Sequence, residues 1–347
     1  MAVDLLRKYE KLDDKEIRDE HKRINQLIEA GAYPKEFRMP LILQFELTSK
    51  CNVYCKHCYN NSGENNHEDA MTPERWVEFS KWLVKHGGLF ECILSGGEPL
   101  LLGDKLFEIM DILHKDGTVF LLITNGYLLD KQRVERLAKY NYKWLQVSID
   151  GSDHAYHDTF RQKKGSWERA VQGALLVTNA GIPLTIAHCV SPGNLDKIDE
   201  MCDLAYSLGA ASIMLGEINL SGRSSMNSEL LLNNDQRRIL LQKYEENSIK
   251  YAGKMLVQRS ASAKHSAMRY LNTPNFGLIV RPNGDLRLDC MVPFVAGNIL
   301  EEDFLSIWKN KGISCWDNPN VLDFISKYDT PDHNSLMTNY VDADIYL

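Results

Sequence analysis

Apolar and polar positions along this chain follow two rhythms: short, nearly continuous apolar runs, and longer stretches with an apolar residue every three or four positions. The short runs predict strands at Ile42 to Leu47, Glu91 to Ser95, Val119 to Thr124, Trp144 to Asp150, Leu184 to Val190 and Ser212 to Glu217. Helical spacing marks Pro73 to His86, Asp104 to Lys115, Lys131 to Lys139, Ser166 to Ala180 and Leu195 to Leu208 between them. Strands that read as unbroken apolar runs belong inside a covered sheet. Their alternation with helices therefore implies an α/β fold, a parallel sheet with helices outside, curved into a barrel or an open part of one. Ligands in such sheets sit at the carboxyl ends of the strands.

The flanks differ. In the first 37 residues, Leu5, Leu6, Tyr9, Leu12, Ile17, Ile24, Leu27 and Ile28 have helical spacing with wide polar faces. One or two amphipathic helices packed on the outside of the core are expected there, ended by Gly31 and Pro34. Residues Met226 to Pro274 read as a helical connector whose clearest helix is Asn234 to Glu246. After it, Phe276 to Val280 and Leu286 to Leu288 flank Arg281-Pro282-Asn283-Gly284-Asp285, a hairpin signal with Asn-Gly at the turn. Cys290, Gly297-Asn298-Ile299 and a helix-like Glu302 to Lys309 follow.

Composition narrows the class. With 347 residues, 44% hydrophobic and 25% charged, the chain can bury a large core, and disordered or fibrous readings fail. A net charge of -7 without a basic run argues against a nucleic-acid groove. No apolar stretch approaches a membrane span, and the charged start MAVDLLRKYEKLDDKE is unlike a secretory signal, so a cytoplasmic location is expected. Of the eight cysteines, three cluster and the others scatter, which suits a reducing compartment.

The cluster is Cys51, Cys55 and Cys58, spaced C-x-x-x-C-x-x-C directly after the first strand. So short a loop can bring three sulfurs to one metal centre. A closed structural site takes four ligands, so a triplet suggests a centre with one position left open. A zinc knuckle completed by His57, or three unrelated buried thiols, remains the alternative. Ser95-Gly96-Gly97-Glu98-Pro99 follows the second strand. Paired glycines there let backbone approach a ligand closely, and the Glu98 carboxylate can hold a cationic amine. Asn125 and Gly126 close the third strand and Ser148, Asp150 and Gly151 the fourth, so four polar or glycine-rich exits outline one pocket. His154, His157 and Arg161 follow, and His188, Cys189, Glu217 and Gly222-Arg223 lie on the later strands or just beyond.

Together the cysteine triplet and GGEP resemble the radical S-adenosylmethionine (radical SAM) superfamily over roughly Leu41 to Arg223. The resemblance implies a partial (β/α)6 barrel core over 38–225, between the helical segment 1–37 and the connector 226–275. It also implies one 4Fe-4S cluster on Cys51, Cys55 and Cys58 and S-adenosylmethionine as cofactor, cleaved to a 5'-deoxyadenosyl radical that takes a hydrogen atom from substrate. Carried over, Gly96, Gly97, Glu98 and Asn125 border the cofactor, Ser148 or Asp150 faces its ribose, Arg161 its carboxylate, and Tyr59 packs near the adenine. An electron donor such as flavodoxin or ferredoxin is implied as partner.

Residues 276–347 resemble the start of a SPASM or twitch appendage but carry only Cys290 and Cys315. The expectation is an α+β appendage with the shape but without an auxiliary cluster, and with Cys290 as a hydrogen donor. The family's habits point to tailoring of a ribosomally made peptide, by epimerisation or crosslinking. A sugar or antibiotic precursor is the alternative, which suits an N-terminal segment too short for complete leader-peptide recognition. A zinc-holding interaction protein is the third reading.

Overall fold

A computed structural model describes residues 15–63, 69–218, 220–260, 270–271, 273–290, 292–326 and 344–347. The helix expected to begin within residues 1–14 lies outside them, whereas α1 (Lys15–Glu29) is present. The expected strands form as β1 (Ile42–Glu46), β2 (Glu91–Ser95), β3 (Val119–Thr124), β4 (Tyr142–Ser148), β5 (Leu184–Val190) and β6 (Ser212–Glu217). They are linked by α2 (Pro73–Lys85), α3 (Asp104–Lys115), α4 (Lys131–Leu137), α5 (His154–Arg161), α6 (Ser166–Asn179) and α7 (Ile198–Ser207). Thr72 caps α2 by accepting from Arg75 N–H, with Pro73 at its first position.

Strands β1 to β6 pair in parallel and in chain order. Right-handed crossovers between successive neighbours put every linking helix on the same face. Alternate strand residues therefore meet different surroundings. Leu43, Phe45 and Leu47 are buried toward α2, where the Phe45 and Trp76 rings lie 4.9 Å apart and Trp76 Nε1 donates to Leu47 O at 3.0 Å. Residues one position out of phase, Gln44, Glu46, Ser95, Gln146, Ser148 and Cys189, point to the opposite face. That face carries these polar residues beside Ile93, Leu121 and Ile123.

Three findings depart from the expectations. The connector after α8 (Asn234–Lys250) is not helical throughout, because β7 (Leu256–Arg259) joins β6 in parallel and extends the sheet. The helix α5 was absent from the expected set. The hairpin β8 (Gly277–Val280) and β9 (Asp285–Arg287) forms as expected, but β8 also pairs in parallel with β1. With β10 (Phe294–Asn298) and β11 (Ile345–Tyr346), one open eleven-stranded sheet runs in the order β11-β10-β9-β8-β1-β2-β3-β4-β5-β6-β7. Among the described residues α9 (Phe304–Ile307) and α10 (Pro319–Ser326) precede β11, and Trp308 Nε1 donates to Phe37 O at 2.9 Å. No helix among the described residues is long and apolar enough to cross a membrane.

Candidate functional site

The cysteine loop leaves the carboxyl end of β1 and is held on three sides. From β2, Gly97 N–H donates to Thr48 O at 2.7 Å and Glu98 N–H to Lys50 O at 3.0 Å. From α5, Phe160 O and Arg161 O accept from Lys56 N–H and Tyr54 N–H. From beyond β6, Arg223 donates through Nε to Cys55 O at 2.8 Å and through Nη2 to Ser62 O at 2.6 Å, and its N–H bonds Cys58 O. The Arg223 guanidinium also lies 3.7 Å over the exposed Tyr54 ring. Arg223 thus helps to fix one short loop from 161 positions away or more.

Held this way, Cys51, Cys55 and Cys58 gather with Val53 as free thiols, the first two buried. Burial, reinforced for Cys51 by the nearby Glu98 charge, pushes the Cys51 thiol up to about 12. Burial does the same to Cys55, against the opposing pull of Arg161. Three thiolates in so dry a niche need a compensating cation. An iron centre provides that charge and soft-donor affinity, so the donor set fits a cluster with three protein ligands.

The remaining expected residues surround this loop, but many of their polar atoms are already bonded. Gly97 has no room for a side chain, since a Cβ would stand 2.0 Å from Lys50 O. The fully buried Glu98 carboxylate accepts from Leu100 N–H, Thr124 Oγ1 and Asn125 N–H at 3.1, 2.8 and 2.9 Å. It ties the β2 exit to the β3 exit, and burial raises its pKa despite those donors. Asn125 Nδ2 donates to Asn52 Oδ1 at 2.7 Å and lies 3.7 Å from Cys51 Sγ. Tyr59 donates to Glu46 Oε1 at 3.0 Å, which puts its ring against the β1 exit.

Asp150 is the centre of a second group. Its Oδ2 accepts from Arg161 Nε at 2.8 Å and its Oδ1 from Cys189 N–H at 2.8 Å, while Asn194 Nδ2 donates to its carbonyl. Burial opposes the Asp150 charge, but Arg161 and three imidazoles more than reverse it and hold the carboxyl well below the usual range. His157 Nδ1 accepts from Asp150 N–H, which fixes the neutral tautomer with the proton on Nε2. His154 is exposed at the start of α5. Ser148 lies on the same sheet face as Gln146, one residue before Ile149.

Sequence reasoning underused His57. Its ring stacks on Phe160 at 4.3 Å, with Nε2 3.6 Å from Asp150 Oδ2. The signal was its place between Cys55 and Cys58. Burial lowers its pKa from 6.5 to about 4 and that of His157 to about 3. The folded state thus refuses protons that the unfolded chain accepts. In cluster-free protein these histidines contribute stability that is complete above pH 6.5 and is lost as pH falls toward 4 and 3. Denaturant midpoints measured from neutral pH downward should decline over that window, and His57→Phe should flatten the decline. A pH-independent midpoint would contradict the assignment.

The two C-terminal cysteines lie apart in character. The Cys290 thiol is pushed up by burial and by the charges of Asp289 and Glu46, so it borders the β1 exit. Cys315 is buried with Asn275, whose Nδ2 lies 3.4 Å from its sulfur. Among the described residues, no cluster of metal-type side chains includes either.

Comparison with known proteins agrees with this geometry. Residues 45–205 match the model of the Radical SAM superfamily. An AdoMet-dependent heme synthase of Methanosarcina barkeri is 30% identical over 291 residues, covering 78% of this chain and 82% of that protein. The antilisterial bacteriocin subtilosin biosynthesis protein AlbA of Bacillus subtilis is 27% identical over 280 residues; the match covers 79% of this chain and 61% of AlbA. Streptococcus suis SuiB bound to S-adenosylmethionine superposes with a TM-score of 0.66 at 14% identity, over 92% of this chain and 81% of SuiB.

Proposed function

The chain belongs to the radical SAM superfamily, and from that premise we propose that it cleaves S-adenosylmethionine reductively and removes a hydrogen atom from a ribosomally synthesised peptide, leading to epimerisation or crosslinking. The observation that carries this reading is the convergence of Cys51, Cys55 and Cys58 at the β1 exit, anchored from three directions. A 4Fe-4S cluster on these sulfurs supplies one electron and an open iron position for the cofactor.

The chain's own residues do the positioning. Asp150 orients the Arg161 guanidinium through Nε, and Arg161 carries the charge that a cofactor carboxylate requires. Ser148 offers a hydroxyl for the ribose, and Tyr59 a ring beside the cysteine loop. Gly96, Gly97, Glu98 and Asn125 hold that loop against β2 and β3, so the site is preorganised before any ligand enters. The sheet face that carries Gln44, Glu46 and Gln146 is where substrate would lie. A flavodoxin or ferredoxin would deliver the electron.

The similarity to AlbA supports a peptide substrate. The similarity to the heme synthase favours a second reading, a small-molecule substrate. Anaerobic incubation with a short precursor peptide, and separately with a sugar nucleotide, distinguishes them by 5'-deoxyadenosine formation. The peptide should accelerate release by about tenfold or more. Acceleration by the small molecule alone would end the peptide reading.

Cys290 is assigned the return of a hydrogen atom to the substrate radical. Cys290→Ala should leave cofactor cleavage within about twofold of the parent but stop solvent-derived deuterium from entering product. Unchanged deuterium incorporation would remove Cys290 from this role.

A further inference from the structure

We propose that His57, Asp150 and Cys189 form a site for one borderline divalent cation, zinc or ferrous iron, beside the cysteine triplet and separate from it. One ligand atom from each residue lies within 4.8 Å of the others, and no residue of the triplet is among them. They come from the cysteine loop, the β4 exit and the end of β5, brought together only by the parallel sheet.

Each ligand is held by contacts other than a metal. Stacking on Phe160 fixes the His57 ring plane. Asp150 is locked beside Cys189 because its Oδ1 accepts the Cys189 N–H. His57 turns Nε2 toward Asp150 Oδ2 at 3.6 Å, which makes Nε2 the nitrogen offered to an ion, while its buried Nδ1 has no hydrogen-bond partner. Imidazole, carboxylate and thiolate together suit a four-coordinate zinc with one position left for water.

The surrounding charge sets the strength of the site. On binding, the Cys189 thiol gives up its proton, so two anionic ligands face the ion. Arg161, bonded to Asp150, and Arg223 and His188 near His57 oppose it. Affinity should therefore be moderate, below that of a structural zinc site without a neighbouring guanidinium.

The test uses the full chain with all three triplet cysteines changed to serine, Cys51→Ser, Cys55→Ser and Cys58→Ser, titrated with cobalt as a spectroscopic stand-in for zinc. About one cobalt per chain should bind, with a thiolate-to-cobalt charge-transfer band and the intense visible bands of four-coordination. Adding Cys189→Ser should abolish the charge-transfer band, and His57→Phe should weaken binding by about tenfold or more. Absence of the band in the folded triple variant, or its persistence after Cys189→Ser, would overturn the proposal. Should the triple variant fail to fold, iron-loaded parent protein serves instead. It should take up about one zinc per chain without losing iron, and its Cys189→Ser variant none. Equal uptake by the two would overturn the proposal, and failure to load iron at all would instead fault the cluster assignment.

Discussion

Cys55→Ala should abolish iron-sulfur loading and S-adenosylmethionine cleavage together while leaving the fold intact. The backbone around Cys55 is anchored independently of its sulfur, since Cys55 O accepts from Arg223 Nε and Cys58 N–H. The side chain itself is buried in a small group with Cys51, Val53 and Cys58. Removing the sulfur and leaving the Ala methyl group there breaks no hydrogen bond that the fold needs, so the thermal midpoint should lie within a few degrees of that of cluster-free parent protein. Two sulfurs, however, cannot hold a cluster that leaves one iron open, because a second iron would lose its protein ligand. Anaerobically prepared parent protein should contain about four iron and four sulfide per chain, and the variant close to none. Cleavage retained by the variant in a dithionite-driven assay would refute the metal assignment.

Gly97→Ala should be the most damaging small substitution near the site, through geometry alone. A Cβ at Gly97 would stand 2.0 Å from Lys50 O and 2.6 Å from Lys50 C. Both are backbone atoms of the cysteine loop, so no side-chain rotation relieves the clash. Either the loop shifts or the bonds Gly97 N–H to Thr48 O and Glu98 N–H to Lys50 O break. Loss on the order of 3–5 kcal/mol is expected, with iron content falling in step because the same loop carries the three sulfurs. Gly216→Ala is the control, since its Cβ would come no nearer than 3.4 Å to the Ser260 hydroxyl. Denaturant unfolding and iron analysis of both variants decide the matter. If Gly97→Ala matched Gly216→Ala in both, the close packing of β2 on the loop would carry no weight.

These outcomes separate two kinds of information. The strands β1 to β6 were legible because each is a short apolar run bounded by turn residues, and five of the six linking helices because their apolar spacing is regular. The sixth, α5, escaped because its buried face is built from His157, Phe160 and Arg161, two of which do not register as apolar. Its only plain signal was Asp153, which caps it by accepting from Ala155 and Tyr156 N–H. The strand β7 escaped for the opposite reason, a short edge strand with Leu256 and Arg259 exposed and little apolar pattern to detect.

At the site, the sequence alone showed that three sulfurs could meet, because a loop of eight residues can fold them onto one point. It also determined the order of the strand exits, since neighbouring β/α units pack side by side. Only the tertiary structure decided which polar atoms remain for chemistry. Glu98, open to any cationic partner on paper, is occupied by three donors from its own neighbourhood, two of them 26 and 27 residues away. Asp150, Arg161, His57 and Cys189 became one group through parallel register and the return of α5 over the cysteine loop. Short-range spacing is written residue by residue, whereas a meeting of side chains a hundred positions apart depends on how far each strand rises before its chain turns.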